Sequence, residues 1–141
     1  MTKRLIPGRN VRYPKRHVAK LEELSYYTDP ESIGTTQYHY LTWAAKWARL
    51  VGTDGVAIMC EKLNCFWVLD LLAGLQPRFW GAFYVVYVVK TDDGGFYLML
   101  DDGNGNIMYS KRYPYTDIKE NLKLFLSFSD DLWVLYLPSE H

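Results

Sequence analysis

Apolar positions change their period halfway along the chain, and the change separates two kinds of structure. From Gln37 to Val51 the residues Tyr40, Ala44, Trp47 and Val51 fall three and four apart, the spacing of one helix face. Gly52 follows, where a helix end favours positive φ. The spacing predicts an amphipathic helix over 37–51. Thr53 suits the cap of a second helix, with Asp54 at the positive end of its dipole, Val56, Met59, Cys60 and Leu63 as its stripe, and Asn64 as its breaker. Cys65 to Leu75 is almost wholly apolar apart from Asp70, which predicts a more buried helical piece ending near Gly74 and before Pro77. Upstream, Asp29 before Pro30 resembles a helix start, but Gly34, Thr35 and Thr36 leave room for one turn at most.

After Pro77 the chain turns to aromatic and β-branched residues. Phe79 to Lys90 contains Tyr84, Val85, Val86, Tyr87, Val88 and Val89 in one run and predicts a long strand. Asp92-Asp93-Gly94-Gly95 and Gly103-Asn104-Gly105-Asn106 are turn sequences, and between and after them Phe96 to Asp101 and Ile107 to Tyr113 return as strands. Leu122 to Phe128 alternates apolar and polar positions, and Ser129-Asp130-Asp131 leads into Leu132 to Leu137, a second hairpin. The expected fold is α+β: N-terminal helices packed on an antiparallel sheet of about five strands, a meander plus a C-terminal hairpin. At 141 residues one domain is expected, over 21–141, preceded by a flexible arm over 1–20.

Charge changes the picture of the arm. Residues 1–20 carry seven of the sixteen Lys and Arg and no acid, so residues 21–141 hold nine bases against sixteen acids. A net charge of zero hides a +7 arm joined to a −7 body. The arm's Pro7, Gly8, Asn10 and Pro14 and its lack of apolar period suit a tail that orders on a partner. Arg9, Arg12, Lys15 and Arg16 are its candidate phosphate or partner contacts. No apolar run is long enough to span a bilayer, and the start lacks a secretory h-region, so a soluble cytoplasmic protein is expected. Cys60 and Cys65 are expected as buried thiols on different helix faces.

Candidate chemistry is sparse. Asp102-Gly103-Asn104-Gly105-Asn106 offers oxygens at alternate positions, as a calcium loop does, but Ile107 stands where that loop needs glycine and Tyr113 where it needs an acid. A tight turn explains the same residues. His17, His39 and His141 form no metal-binding spacing, and His39 is coupled by sequence to no nucleophile or carboxylate. Asp70 within Phe66-Trp67-Val68-Leu69-Asp70-Leu71-Leu72 must meet a donor, such as Arg49 or Arg78, or face water. No phosphate loop, nucleophile elbow or zinc motif is present, and neither cofactor nor metal is expected. Tyr26, Tyr27, Tyr38, Tyr40, Trp43, Trp47 and Trp80 are more large rings than a small core readily hides, so a contact patch is expected, with Tyr38, Tyr40, Trp43 and Trp47 as its candidate residues.

Several short landmarks occur in order: Ile33-Gly34-Thr35-Thr36-Gln37-Tyr38, Gly52-Thr53-Asp54-Gly55-Val56, Phe66-Trp67-Val68-Leu69-Asp70, Asp101-Asp102-Gly103-Asn104-Gly105-Asn106, Tyr115-Thr116-Asp117 and Leu137-Pro138-Ser139-Glu140. Over about residues 30–140 the chain resembles an uncharacterised bacterial family often carried by phages and plasmids. The resemblance implies a genetic setting and no catalytic residue. It favours a non-enzymatic protein that binds a host protein or nucleoprotein complex, such as a defence nuclease. The alternative is direct binding of nucleic acid through residues 1–20. A small enzyme built on His39, Asp70 or Asp101 and Asp102 is a third reading, which requires those groups to share a cleft.

Overall fold

A computed structural model describes residues 21–28, 37–79 and 81–140. The arm, the Asp29-Pro30 turn, Trp80, His17 and His141 lie outside the described residues, as do the candidate contacts Arg9, Arg12, Lys15 and Arg16. The elements run β1 (Tyr38–His39), α1 (Trp43–Trp47), β2 (Leu50–Thr53), α2 (Asp54–Leu63), α3 (Trp67–Leu75), β3 (Phe83–Lys90), β4 (Phe96–Asp101), β5 (Ile107–Tyr113), β6 (Leu122–Ser129) and β7 (Leu132–Tyr136). Short 3₁₀ turns occupy Leu21–Glu23, Gln76–Arg78 and Pro138–Glu140.

The fold is α+β, as expected, but its sheet has seven strands in the order β1-β2-β7-β6-β3-β4-β5. The β3-β4-β5 meander and the β6-β7 hairpin form where the turn residues place them, and β3 joins the two by pairing antiparallel with β6. The expected all-antiparallel sheet is corrected at one ladder, where β2 runs parallel to β7 with Leu50 opposite Trp133 and Val51 opposite Val134.

The helix expected over 37–51 is also corrected. Its middle alone is helical, and its ends are strands β1 and β2, which pair with each other. Arg49 takes φ 54°, which turns the chain out of α1, and Leu50 to Thr53 are all buried beside β7. A helix continued to Val51 would forfeit that ladder, so tertiary pairing overrides the local period. Tyr40, Ala44 and Trp47 face water, and Ala45 is the fully buried residue of α1.

The other helices follow their sequence signals. Thr53 Oγ1 accepts from the Val56 amide at the start of α2, and Asn64 ends the helix in the left-handed region with φ 52°. That turn brings Cys65 back beside Cys60, so the two buried thiols are neighbours rather than on separate helix faces. Their hydrogen bond lowers Cys65 and raises Cys60, and burial raises Cys60 further.

Both sheet faces are covered, which explains the unbroken apolar run of β3. Tyr84, Val86 and Val88 face the helices, packed with Met59 and Cys60 of α2 and Leu69 and Leu72 of α3. Val85, Tyr87 and Val89 face the other way, with Met99, Ile107 and Leu21. The segment leading from Leu21 is tied down by Asn121, which accepts from the Tyr27 amide at 2.9 Å and donates to the Ser25 carbonyl at 3.3 Å.

Candidate functional site

The surface around α1 is carried by residues 38–47, which run from β1 into a five-residue helix. Thr42 caps α1 by accepting from the Ala45 amide at 3.0 Å, which fixes where a helix of only one turn begins. Ala45 is the residue small enough to press into the core, so its neighbours on the helix point outward. Trp43 and Trp47, four apart, lie one above the other on the same side. They are 76% and 84% exposed, and Tyr38 and Tyr40, two apart on and after β1, are 53% and 49% exposed. Among the described residues, six large apolar or aromatic side chains are exposed, and these four share a stretch of ten residues.

Two of these rings, Tyr40 and Trp43, line a shallow cleft of about 330 Å³ together with Leu41, Thr42 and Lys46. Lys46 holds its ammonium 5.4 Å from the centre of the Trp43 ring, a cation–π contact at the rim. Two contacts seat the surface on the fold. His39 Nε2 lies 2.6 Å from Asp54 Oδ1, which ties β1 to the first turn of α2. Leu41 rests on Gly52, where an added Cβ would come within 2.7 Å of Leu41 Cδ1 and 3.1 Å of Val56 Cγ1. Gly52 is therefore a close-approach glycine rather than the helix end its position suggested.

The same end of α2 holds the C-terminal segment. Glu140 accepts from Thr53 Oγ1 at 2.7 Å, from the Gly55 amide at 3.3 Å and from the Leu137 amide at 2.8 Å. A carboxylate at a helix N-terminus meets unpaired amides and the positive end of the dipole. The Leu137-Pro138-Ser139-Glu140 landmark thus acts as a clasp between the last strand and α2.

Of the sequence candidates, Tyr38, Tyr40, Trp43 and Trp47 are exposed, and Tyr40 and Trp43 line one cleft. Tyr26 and Tyr27 are not part of that surface: Tyr26 packs its ring 5.8 Å from Tyr87 on the second sheet face, and Tyr27 is buried. Lys46 and Thr42 were missed by sequence reasoning, although the three-residue step from Trp43 to Lys46 is a helical spacing that could have flagged the pair.

The proposed catalytic groups are dispersed. His39 is on β1 and Asp101 on β4, five strand positions apart, roughly 24 Å at the usual strand spacing. Asp70 projects into water from α3. Asp101 and Asp102 shape a turn: Asp101 Oδ1 accepts from the Gly103 and Gly105 amides at 2.6 and 3.2 Å, and Asp102 from the Asn104 amide at 2.8 Å and the Asn106 side chain at 3.0 Å. Gly103 and Gly105 have φ of 93° and 86°, the conformation for which glycine is needed there. Burial pushes the Asp101 carboxyl up, against its two amide donors. Asp102 is little buried, and the Asn106 side chain and turn amides hold it down.

An α+β protein of one seven-stranded mixed sheet, presenting an aromatic surface and a clasped C-terminal segment, is the class this geometry defines. The chain belongs to the DUF6876 family, a family of unknown function, which matches residues 26–141. No curated protein and no solved structure matches it. Among the described residues, no helix is long and apolar enough to cross a membrane.

Proposed function

We propose that this is a non-enzymatic interaction protein of a mobile genetic element, which docks on a host protein or nucleoprotein complex in the cytoplasm and inhibits it, host defence machinery being the fitting target class. The observation that carries the reading is the exposure of Tyr38, Tyr40, Trp43 and Trp47 within ten residues of chain, two of them lining one cleft. Burying a large apolar side chain is worth about 1.5–3 kcal/mol, and folding leaves that gain unused at four neighbouring rings. Aromatic side chains in a cluster are the residues that most often dominate binding energy when a partner covers them. The phage and plasmid setting comes from the resemblance of the sequence landmarks, and blocking by surface complementarity needs no reactive centre. The acidic body, with sixteen acids against nine bases over 21–141, suits a basic channel that otherwise holds nucleic acid.

A pull-down from host lysate tests this, comparing the full chain with a Trp43→Ala, Trp47→Ala double variant, with and without nuclease and at low and high salt. A stoichiometric protein that survives nuclease and is lost with the double variant supports docking. Recovery of nucleic acid alone overturns it. The second reading, phosphate binding by Arg9, Arg12, Lys15 and Arg16, is favoured by the seven bases and no acids of residues 1–20. Deleting residues 1–20 then abolishes all nucleic-acid binding, whereas docking through the rings survives the deletion.

A further inference from the structure

Between Glu31 and Asp54 the chain carries His39, Lys46 and Arg49 and no carboxylate. Asp54, which closes that stretch, is engaged by His39 at 2.6 Å. Arg49 is fixed through its backbone, whose carbonyl accepts from the Trp133 amide at 2.8 Å. Lys46 and Arg49 are both exposed without a carboxylate partner among the described residues, and of the two it is Lys46 that lines the aromatic cleft. The rings are therefore accompanied by an unneutralised cation on a body whose other surfaces are rich in acid.

We infer that this surface takes a protein segment presenting an aromatic or branched apolar side chain next to a carboxylate, a partner chemistry that deepens the docking function and rests on it. The apolar side chain enters the cleft between Tyr40 and Trp43, whose floor is Leu41. The carboxylate meets Lys46, whose ammonium is already held over the Trp43 ring, so little side-chain freedom remains to be lost. Trp47, one turn beyond Trp43 on α1, extends the apolar surface beside the cleft that the segment covers. Charge decides against a nucleic acid at this place. A polyanion running over the patch meets a body of nine bases and sixteen acids, and its repulsion grows with every phosphate. One or two carboxylates among apolar groups incur little of that repulsion and keep the whole gain at Lys46.

The test is a selection of displayed random peptides on the immobilised full chain, with the affinities of the winners measured by fluorescence on the wild type and on exposed-site variants. Winners are expected to pair an aromatic or branched apolar residue with Asp or Glu. Trp47→Ala is expected to weaken them roughly thirtyfold. Lys46→Glu is expected to weaken them about fivefold and to favour the same peptides carrying Lys in place of the acid. Winners that are lost with Trp47→Ala but lack acids, or are indifferent to Lys46→Glu, overturn this inference and leave docking by the rings standing. Winners unaffected by Trp47→Ala, or no winners at all, overturn both. Tighter, ring-dependent binding of a single-stranded oligothymidylate overturns the inference in favour of nucleic acid.

Discussion

Two sets of aromatic side chains in this molecule have opposite fates. Phe79, Tyr84 and Trp133 interlock beneath the helices, with Phe79 edge-on to Trp133 at 4.8 Å and 70° and 5.4 Å from Tyr84. Trp67, Phe96 and Tyr113 form a second run, with Phe96 stacked on Tyr113 at 4.8 Å. The rings of β1 and α1 have the same chemistry and stay in water. The difference lies in the elements that carry them. Tyr84, Phe96, Tyr113 and Trp133 sit on the longer strands and Trp67 on α3, all turned to the helix-covered sheet face, whereas Tyr38 is on the two-residue edge strand β1 and α1 is a single turn whose inward position is taken by Ala45. Hydrophobicity alone therefore does not assign a ring to the core. The room left beside the sheet does, and the rings left over stay in water, where they are available to a partner under the proposed docking.

Truncation should separate the two sets most sharply. Trp133→Ala is expected to destabilise the fold by about 3–5 kcal/mol in urea unfolding, because it opens a cavity among Phe79, Tyr84 and Phe128. Trp47→Ala is expected to change stability by less than about 0.5 kcal/mol while removing partner binding. Similar losses of stability for both variants would mean that the α1 rings belong to the core.

Gly52→Ala tests how the exposed set is seated. The new methyl would collide with Leu41, and the expected cost is about 1–3 kcal/mol. Adding Leu41→Ala should recover part of that cost, read as a coupling energy in a double-mutant cycle. No coupling would show that Leu41 does not hold the floor of the cleft.

Glu140→Ala probes the clasp, which bonds to Thr53, Gly55 and Leu137. A loss of about 1–2 kcal/mol is expected, since buried amides and a hydroxyl lose their acceptor. Binding through the rings should be little affected, because Tyr40, Trp43 and Trp47 are seated by other contacts.

The smallest effect is expected at Asp101, remote from the exposed rings. Its folded pKa is raised by burial, so the native state holds the proton more tightly than the unfolded chain. Its contribution therefore grows as pH falls through the raised folded value towards the unfolded value near 3.9 and is absent at neutral pH. Asp101→Asn keeps an oxygen for the Gly103 and Gly105 amides. Stability at neutral pH should stay within about 1 kcal/mol of wild type, and this component of the pH slope should vanish. An unchanged slope in urea titrations across that window would show that Asp101 does not supply it.

Local chemistry determined much of this protein. Thr53 and Asn64 bound α2, the Asp-Gly and Asn-Gly turns set the meander, and the Ser129-Asp130-Asp131 turn set the hairpin, because capping and positive-φ preferences act within a few residues. The number of strands and the parallel ladder were not legible. Leu50 to Thr53 becomes a strand only because β7, some eighty residues later, offers a free edge, and no local period encodes a partner that distant. Spacing alone puts Tyr40, Ala44 and Trp47 on one helix face and does not say which way it points; the excess of large rings pointed outward, and the packing of Ala45 and the Leu41–Gly52 contact fix it there. The sequence by itself thus supplied the ring types, the turns and the charge split, while the tertiary structure decided which rings remained exposed, because burial is a property of the assembled sheet and its neighbours.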